Sequence, residues 1–140
     1  MLSGVHPLLT GGVLLHLDAM GHSDAVAVVD AHFPAARLGR VVVEVPGATA
    51  PQMLAAVRSV TPPDDVPALD LMEAPGGDPL EVQDELMAAA RVDAAETRFL
   101  DRFAYYELVA GAQLVIRTGE ARAYGNAILR KGLVSGEDSP

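Results

Sequence analysis

The stretch Met20-Gly21-His22-Ser23-Asp24, then Ala25-Val26-Ala27-Val28-Val29, then Asp30-Ala31-His32-Phe33-Pro34 decides the reading of this chain. Five consecutive apolar residues bounded by glycine, polar residues and proline are what a strand buried on both faces looks like. Strands of that kind belong to α/β domains, in which helices cover the sheet. The same stretch sets a histidine before the strand and a carboxylate after it. Acid–base groups would then sit on loops held by a rigid element, which is where chemistry is expected.

Working outward, Thr10 can cap a helix on which Val13, Leu14, Leu17 and Met20 share a face, ending near Gly21. Val41 to Val45 reads as a second buried strand, and Met53, Leu54 and Val57 mark a short helix between Pro51 and Val60, stopped by Thr61-Pro62-Pro63. Ala68 to Met72 fits a strand. After Gly76-Gly77, Pro79 suits the first turn of an acidic helix running towards Ala90, with Val82 and Leu86 inward. The spacing of Phe99, Phe103, Tyr106 and Val109 or Ala110 predicts another helix, ended by Gly111. Ala112 to Arg117 reads as a strand, Thr118-Gly119-Glu120 as a turn, and Tyr124 to Leu133 as a last strand with Gly125 a bulge or close-approach point. This alternation predicts one α/β domain with a mostly parallel central sheet flanked by helices, and Ser135 to Pro140 as a frayed polar tail.

Composition narrows the partners. The 140 residues hold 10 Lys and Arg against 19 Asp and Glu, a formal charge of −9, so the average field repels nucleic acid and anionic membranes. Six of the ten basic residues lie between Arg98 and Lys131 but are interleaved with apolar residues and form no run. The absence of cysteine removes disulfides, thiol catalysis and cysteine–zinc sites, and is compatible with the cytoplasm. No window approaches the roughly 18 apolar residues of a membrane span, and the first residues carry no signal-peptide charge pattern. The expectation is a soluble, unexported, cytoplasmic protein.

Several residues could carry chemistry. His22, on a loop, could give and take a proton near neutral pH, since imidazole ordinarily titrates near 6.5; the plain alternative is a surface or capping histidine. Asp30 stands at the end of a parallel strand, the edge where open α/β sheets bind ligands, or else it caps the turn before Pro34. His22, Asp24, Asp30 and His32 form a near-palindrome of metal-ligand types, but a five-residue strand separates the pairs by roughly 17 Å, which argues against one ion. The same separation requires that a site using both His22 and Asp30 be closed either by a folded-back loop or by a neighbouring subunit. Arg102 lies one helical turn from Tyr106 and could clamp a polar ligand or form an exposed ion pair with Asp101 or Glu107. Tyr124 and Asn126, two apart on the expected strand, would face one side and suit a hydroxyl-rich ligand, or be a buried tyrosine and a turn asparagine. Phosphate-binding loops, nucleophile elbows and dinucleotide fingerprints are missing. Lys131, beside Arg130, lies outside the strand core and is a poor Schiff-base candidate.

Four separated motifs carry a family resemblance: Met20-Gly21-His22-x-Asp24, Asp30-Ala31-His32-Phe33-Pro34-Ala35, Arg102-Phe103-Ala104-Tyr105-Tyr106-Glu107, and Thr118-Gly119-Glu120 followed by Tyr124-Gly125-Asn126-x-Ile128-Leu129-x-Lys131-Gly132. In this order they closely resemble the L-fucose mutarotases, which share a superfamily with the D-ribose pyranases. The chain departs from them mainly in the acidic, proline-rich segment Pro62 to Glu81 and in the tail after Val134. The resemblance implies a sugar mutarotase domain over residues 1–134, a cofactor-free and metal-free isomerase of α and β anomers, and a homo-oligomeric ring, often decameric. It implies L-fucose as the monosaccharide substrate, His22 as the acid–base residue, and Asp30, Arg102, Tyr124 and Asn126 as sugar contacts. Tyr124, Asp30 or a water is then a candidate for the second proton transfer. D-Ribose pyranase chemistry and a non-catalytic sugar-binding ring are the alternatives.

Overall fold

The computed structural model describes residues 1–65 and 67–138. Val66, within the acidic segment, and Ser139 and Pro140, within the expected tail, lie outside the described residues. The order of elements is α1 (Gly11–Asp18), β1 (Ala25–Val29), α2 (Ala35–Leu38), β2 (Val42–Val45), α3 (Ala50–Arg58), β3 (Leu69–Met72), α4 (Glu81–Ala90), a 3-10 turn (Ala94–Glu96), β4 (Thr97–Leu100), α5 (Arg102–Ala110), β5 (Leu114–Thr118) and β6 (Ala127–Arg130). Among the described residues six strands form one sheet in the order β2-β5-β1-β6-β3-β4.

The expected α/β architecture holds, with one strand reversed. β1 and β2 both pair with β5 in parallel and β3 pairs with β4 in parallel, whereas β6 runs antiparallel between β1 and β3. The reversal follows from the short link between β5 and β6: eight residues without a crossover helix cannot return the chain for a parallel pairing. The sheet is therefore mostly parallel but mixed at its centre.

Alternation along β1 explains its unbroken apolar run. Val26 and Val28 face α1, α3 and α4 with Val13, Leu17, Met53, Leu54, Val57 and Leu86, while Ala27 and Val29 face α2 and α5 with Phe33, Ala35, Tyr105 and Val109. Each fully buried Val or Leu contributes about 1.5–3 kcal/mol of transfer free energy, so a one-residue slip would be opposed on both faces. β2, expected to be fully buried, is an edge strand with Glu44 exposed and its valines half-buried.

The local signals held unevenly. Thr49 caps α3 in a reciprocal capping box with Gln52, but the Thr10 hydroxyl makes no capping bond although Thr10 holds the N-cap position of α1. Pro79 precedes α4, whose N-cap is Leu80, rather than sitting in its first turn. The helix phase assigned to Phe99 and Phe103 is wrong. Phe99 belongs to β4, opposite Leu71 of β3, and the Asp101 carboxylate starts α5 by accepting from the Phe103 and Ala104 amides. From that start Tyr105 and Val109 turn inward and Phe103 is 69% exposed. The last strand is also shorter than expected, because Tyr124 and Asn126 belong to the loop before it. In the tail, both the Ser135 amide and its hydroxyl donate to the Asp138 carboxylate.

Candidate active site

Five strands point their carboxyl ends to one side of the sheet, and β6 begins there. A cavity of about 230 Å³ opens at that side, lined by Asp30, His32, Phe33, Pro34, Met72, Arg102, Tyr106, Ala123, Tyr124 and Asn126. The volume lies below the roughly 300–1,000 Å³ of drug-sized ligand sites and suits a single small ring. Its position matches the general rule that open α/β sheets bind ligands outside the carboxyl ends of their strands.

Asp30 and Asn126 form the floor as one unit. The Asn126 side-chain amide donates to Asp30 Oδ2 at 3.0 Å, and its carbonyl accepts from the Asp30 amide at 2.8 Å. The His32 amide donates to Asp30 Oδ1 at 2.9 Å. Asp30 and Asn126 are 5% and 3% exposed, so both are held rather than mobile. Burial pushes the Asp30 carboxyl above the usual carboxylate range, opposed by these donors and by His32.

The loop carrying Tyr124 and Asn126 is itself clamped. Buried Glu120 receives Arg122 through two side-chain nitrogens, each at 3.0 Å, and through the Arg122 amide at 3.1 Å. Arg122 also reaches Glu85 of α4. The hydrogen bonds from Arg122 hold the Glu120 carboxyl below its usual range. Gly125 passes so close to Glu120 that a Cβ would lie 2.7 Å from its Cγ, which confirms a close-approach role for this glycine. Tyr124 takes φ +63°, a left-handed conformation that costs a non-glycine residue energy and is held by this packing. Tyr124 and Asn126 thus meet in one cavity through a strained loop, not through strand alternation.

Arg102 lines the opposite wall. It makes no ion pair among the described residues; Asp101 is occupied with capping, and the Arg102 guanidinium lies 5.1 Å from the Phe103 ring centroid. A cation without a carboxylate partner, facing a cavity with a buried carboxylate on its floor, is suited to polarised hydroxyls. Tyr106 and Tyr105 flank Phe33 edge-on, at 5.4 and 5.9 Å between centroids, and Phe33 and Tyr106 give the cavity an aromatic side while Tyr105 is buried in the core. The Tyr105 hydroxyl is buried with no hydrogen-bond partner among the described residues; burial and the nearby Asp70 and Asp30 carboxylates push its pKa well up.

His22 lies at the other end of β1. Its Nε2 is 3.1 Å from Asp64 Oδ1, in a separate hollow with Pro63, Asp65, Gly132 and Leu133. The Gly21 to Asp24 loop does not fold back over the strand: the Ser23 amide donates to Lys131 O, and the Lys131 amide to Asp24 O, at the end of β6. Lys131 turns its ammonium to the carbonyls of Leu17 and Met20, capping the exit of α1. Within one chain the structure therefore unites Asp30, Arg102, Tyr124 and Asn126 and leaves His22 apart.

Two residues escaped the sequence reading. His32, which the sequence offers as a metal-ligand type, lines the cavity; its place two residues after Asp30 in the same turn is the signal for that. Asp64, in the segment that departs from the family pattern, had no local signal. Among the described residues no group of three or more His, Cys, Asp or Glu is arranged to hold a metal ion, and no helix is long and apolar enough to cross a membrane.

This fold, with its polar cavity at the strand ends, is that of a family of sugar-handling proteins. Residues 3–134 match the model of the RbsD / FucU transport protein family, and the chain belongs to that family. It is 36% identical to the L-fucose mutarotase of Glaesserella parasuis serovar 5, over 95% of this chain and 96% of that protein. Among solved structures it resembles the fucose mutarotase of Streptococcus pneumoniae in complex with L-fucose, at TM-score 0.88 and 25% identity over 96% of this chain and 100% of that one. It also resembles FucU of Bifidobacterium longum, at TM-score 0.85 and 33% identity over 94% and 100% of the two chains.

Proposed function

We propose that the chain is a cofactor-independent mutarotase that interconverts the α and β anomers of L-fucose. The observation that carries this reading is the cavity itself: a buried carboxylate–amide pair, an arginine without an ion-pair partner among the described residues and a tyrosine converge on space for one small ring. L-Fucose is favoured over other reducing sugars because full-length relatives at this identity are named for it.

The reaction needs a proton taken from the anomeric hydroxyl and another given to the ring oxygen. The bond from the anomeric carbon to the ring oxygen then breaks, the open-chain aldehyde rotates, and closure on the other face reverses the transfers. Asp30, Asn126 and Arg102 hold hydroxyls in this reading, Tyr124 serves the ring oxygen, and His22 exchanges the proton of the anomeric hydroxyl.

His22 reaches the cavity from a neighbouring copy. Exposed apolar side chains favour this arrangement: Leu133 lines the His22 hollow, Val60 and Val134 line a hollow beside Lys131, and Phe103 follows the cavity-lining Arg102. Two different patches that join head to tail build a heterologous interface, which gives a ring where the rotation between copies closes. A decamer is one such closed assembly. Saturation-transfer NMR between fucose anomers tests the reading: exchange accelerated by the wild-type protein and lost in His22→Ala is expected, and unchanged exchange on adding wild-type protein would reject it. Faster exchange of D-ribose than of fucose would move the activity to pyranase chemistry.

A further inference from the structure

Asp64 comes from the acidic, proline-rich segment, where nothing in the local sequence marks a functional residue, yet it meets His22 across 42 positions of chain. Oδ1 faces the imidazole Nε2 at 3.1 Å and accepts the Asp65 amide at 2.8 Å. Oδ2 accepts the Ser23 hydroxyl at 2.7 Å.

The support behind this contact is rigid. The Asp64 amide donates to Arg130 O and the Gly132 amide to Pro62 O, and Pro63 bridges to Lys131. At Gly132 a Cβ would lie 2.2 Å from Pro63 O, so the segment can lie this close solely because glycine occupies that position. Ser23 itself is held at φ +67°, a strained conformation that aims its hydroxyl at Asp64.

We propose that Asp64 is the positioning residue for His22: its carboxylate accepts the Nε2 hydrogen, fixes the imidazole as the Nε2–H tautomer and leaves Nδ1 as the nitrogen that exchanges a proton with the sugar. A carboxylate has no hydrogen to donate, so the nitrogen it faces must carry one. The Ser23 hydroxyl and the Asp65 amide hold the Asp64 carboxyl below its usual range, which keeps it an acceptor. Nδ1 has no hydrogen-bond partner among the described residues, and the His22 side chain is 54% exposed, open to a ligand brought by another copy. In the forward step Nδ1 takes the anomeric proton and becomes imidazolium beside an Asp64 that stays ionised. The reverse step returns that proton on closure.

The inference rests on the reading of His22 as the acid–base residue, and two measurements separate them. Imidazole 15N shifts of the assembled wild-type protein should report the Nε2–H tautomer of His22, moving towards a mixture in Asp64→Ala. In anomer exchange, Asp64→Ala should lower kcat about ten- to a hundredfold with KM nearly unchanged, as expected for weakened acid–base catalysis. Asp64→Asn, which keeps an acceptor but not the charge, should recover part of that loss. Ser23→Ala, which removes one tether and keeps the carboxylate, should cost about threefold and serves as the readout where Asp64→Ala fails to fold. An Nδ1–H tautomer in the wild type, or wild-type kcat in Asp64→Ala or Ser23→Ala, would overturn the proposal. A wild-type protein with the Nε2–H tautomer and no exchange would sink the mutarotase reading and leave the orientation of His22 standing.

Discussion

The two ends of β1 are built from the same kinds of residues and differ in burial and partners. At the carboxyl end, Asp30 is buried, shares two hydrogen bonds with Asn126, and sits in a cavity completed by β3, α5 and the loop before β6. At the amino end, His22 is half-exposed in a hollow shared with Asp64, Asp65 and Gly132, and meets one carboxylate. The first end can hold a ligand within one chain. The second presents an imidazole paired with a carboxylate. Under the proposed function, binding and chemistry would lie roughly 17 Å apart along a five-residue strand, and a second copy is what would bring them together.

The largest expected effect separates the two ends directly. His22→Ala should lower anomer exchange by at least about a hundredfold while fucose binding changes less than about tenfold; Arg102→Ala should weaken binding by about tenfold or more. Titration by NMR beside saturation transfer distinguishes them, and equal loss of binding in both variants would break the division. Mixing these two variants at equal ratio, with subunit exchange, sharpens it further. About a quarter of the sites would then pair an intact cavity with an intact histidine, recovering about a quarter of the wild-type rate. No recovery would mean that both residues act within one chain.

A smaller effect concerns the clamp at the cavity end. Glu120→Gln should destabilise the fold by about 2 kcal/mol, the scale of a hydrogen bond to a charged group, as read by urea unfolding at pH 7. Because the folded Glu120 carboxyl lies below its usual range, its stabilisation is present above the unfolded value of about 4.3 and is lost as pH falls through the folded value. The difference between wild type and Glu120→Gln should therefore shrink in acid. Asp30 has the opposite sign: its raised carboxyl favours the fold most below about 3.9 and loses that contribution as pH rises through the folded value. The stability of wild type relative to Asp30→Asn should accordingly improve in acid, and parallel pH trends for the two variants would contradict the assigned environments.

The smallest effect tests local capping. Thr49→Ala should cost about 1 kcal/mol, since it breaks a reciprocal capping box, whereas Thr10→Ala should stay within about 0.5 kcal/mol because that hydroxyl caps nothing. Thermal or urea unfolding compares the two.

Much of this was legible in the residue order. The run Ala25 to Val29 gave its strand and both faces, Met53, Leu54 and Val57 their helix, and the four motifs the family. What failed did so where a local pattern competed with a distant partner. Phe99 fits a helical stripe with Phe103, but pairing with β3 places it in a strand and shifts the phase of α5. Tyr124 and Asn126 look like alternate strand residues, and it is the Glu120–Arg122 clamp that holds them in a loop facing the same cavity.

By itself the sequence determined most of the helical and extended segments, the α/β class, and the residue types available for acid–base and hydroxyl-binding work, because those follow from periodicity, capping and side-chain chemistry over a few neighbours. Tertiary structure decided the place of β6 between β1 and β3, the closing of Asn126 on Asp30 and the meeting of His22 with Asp64. These depend on contacts between residues 42 or more positions apart, such as the bond from Asn126 to Asp30, and no local pattern encodes the space that brings such residues together.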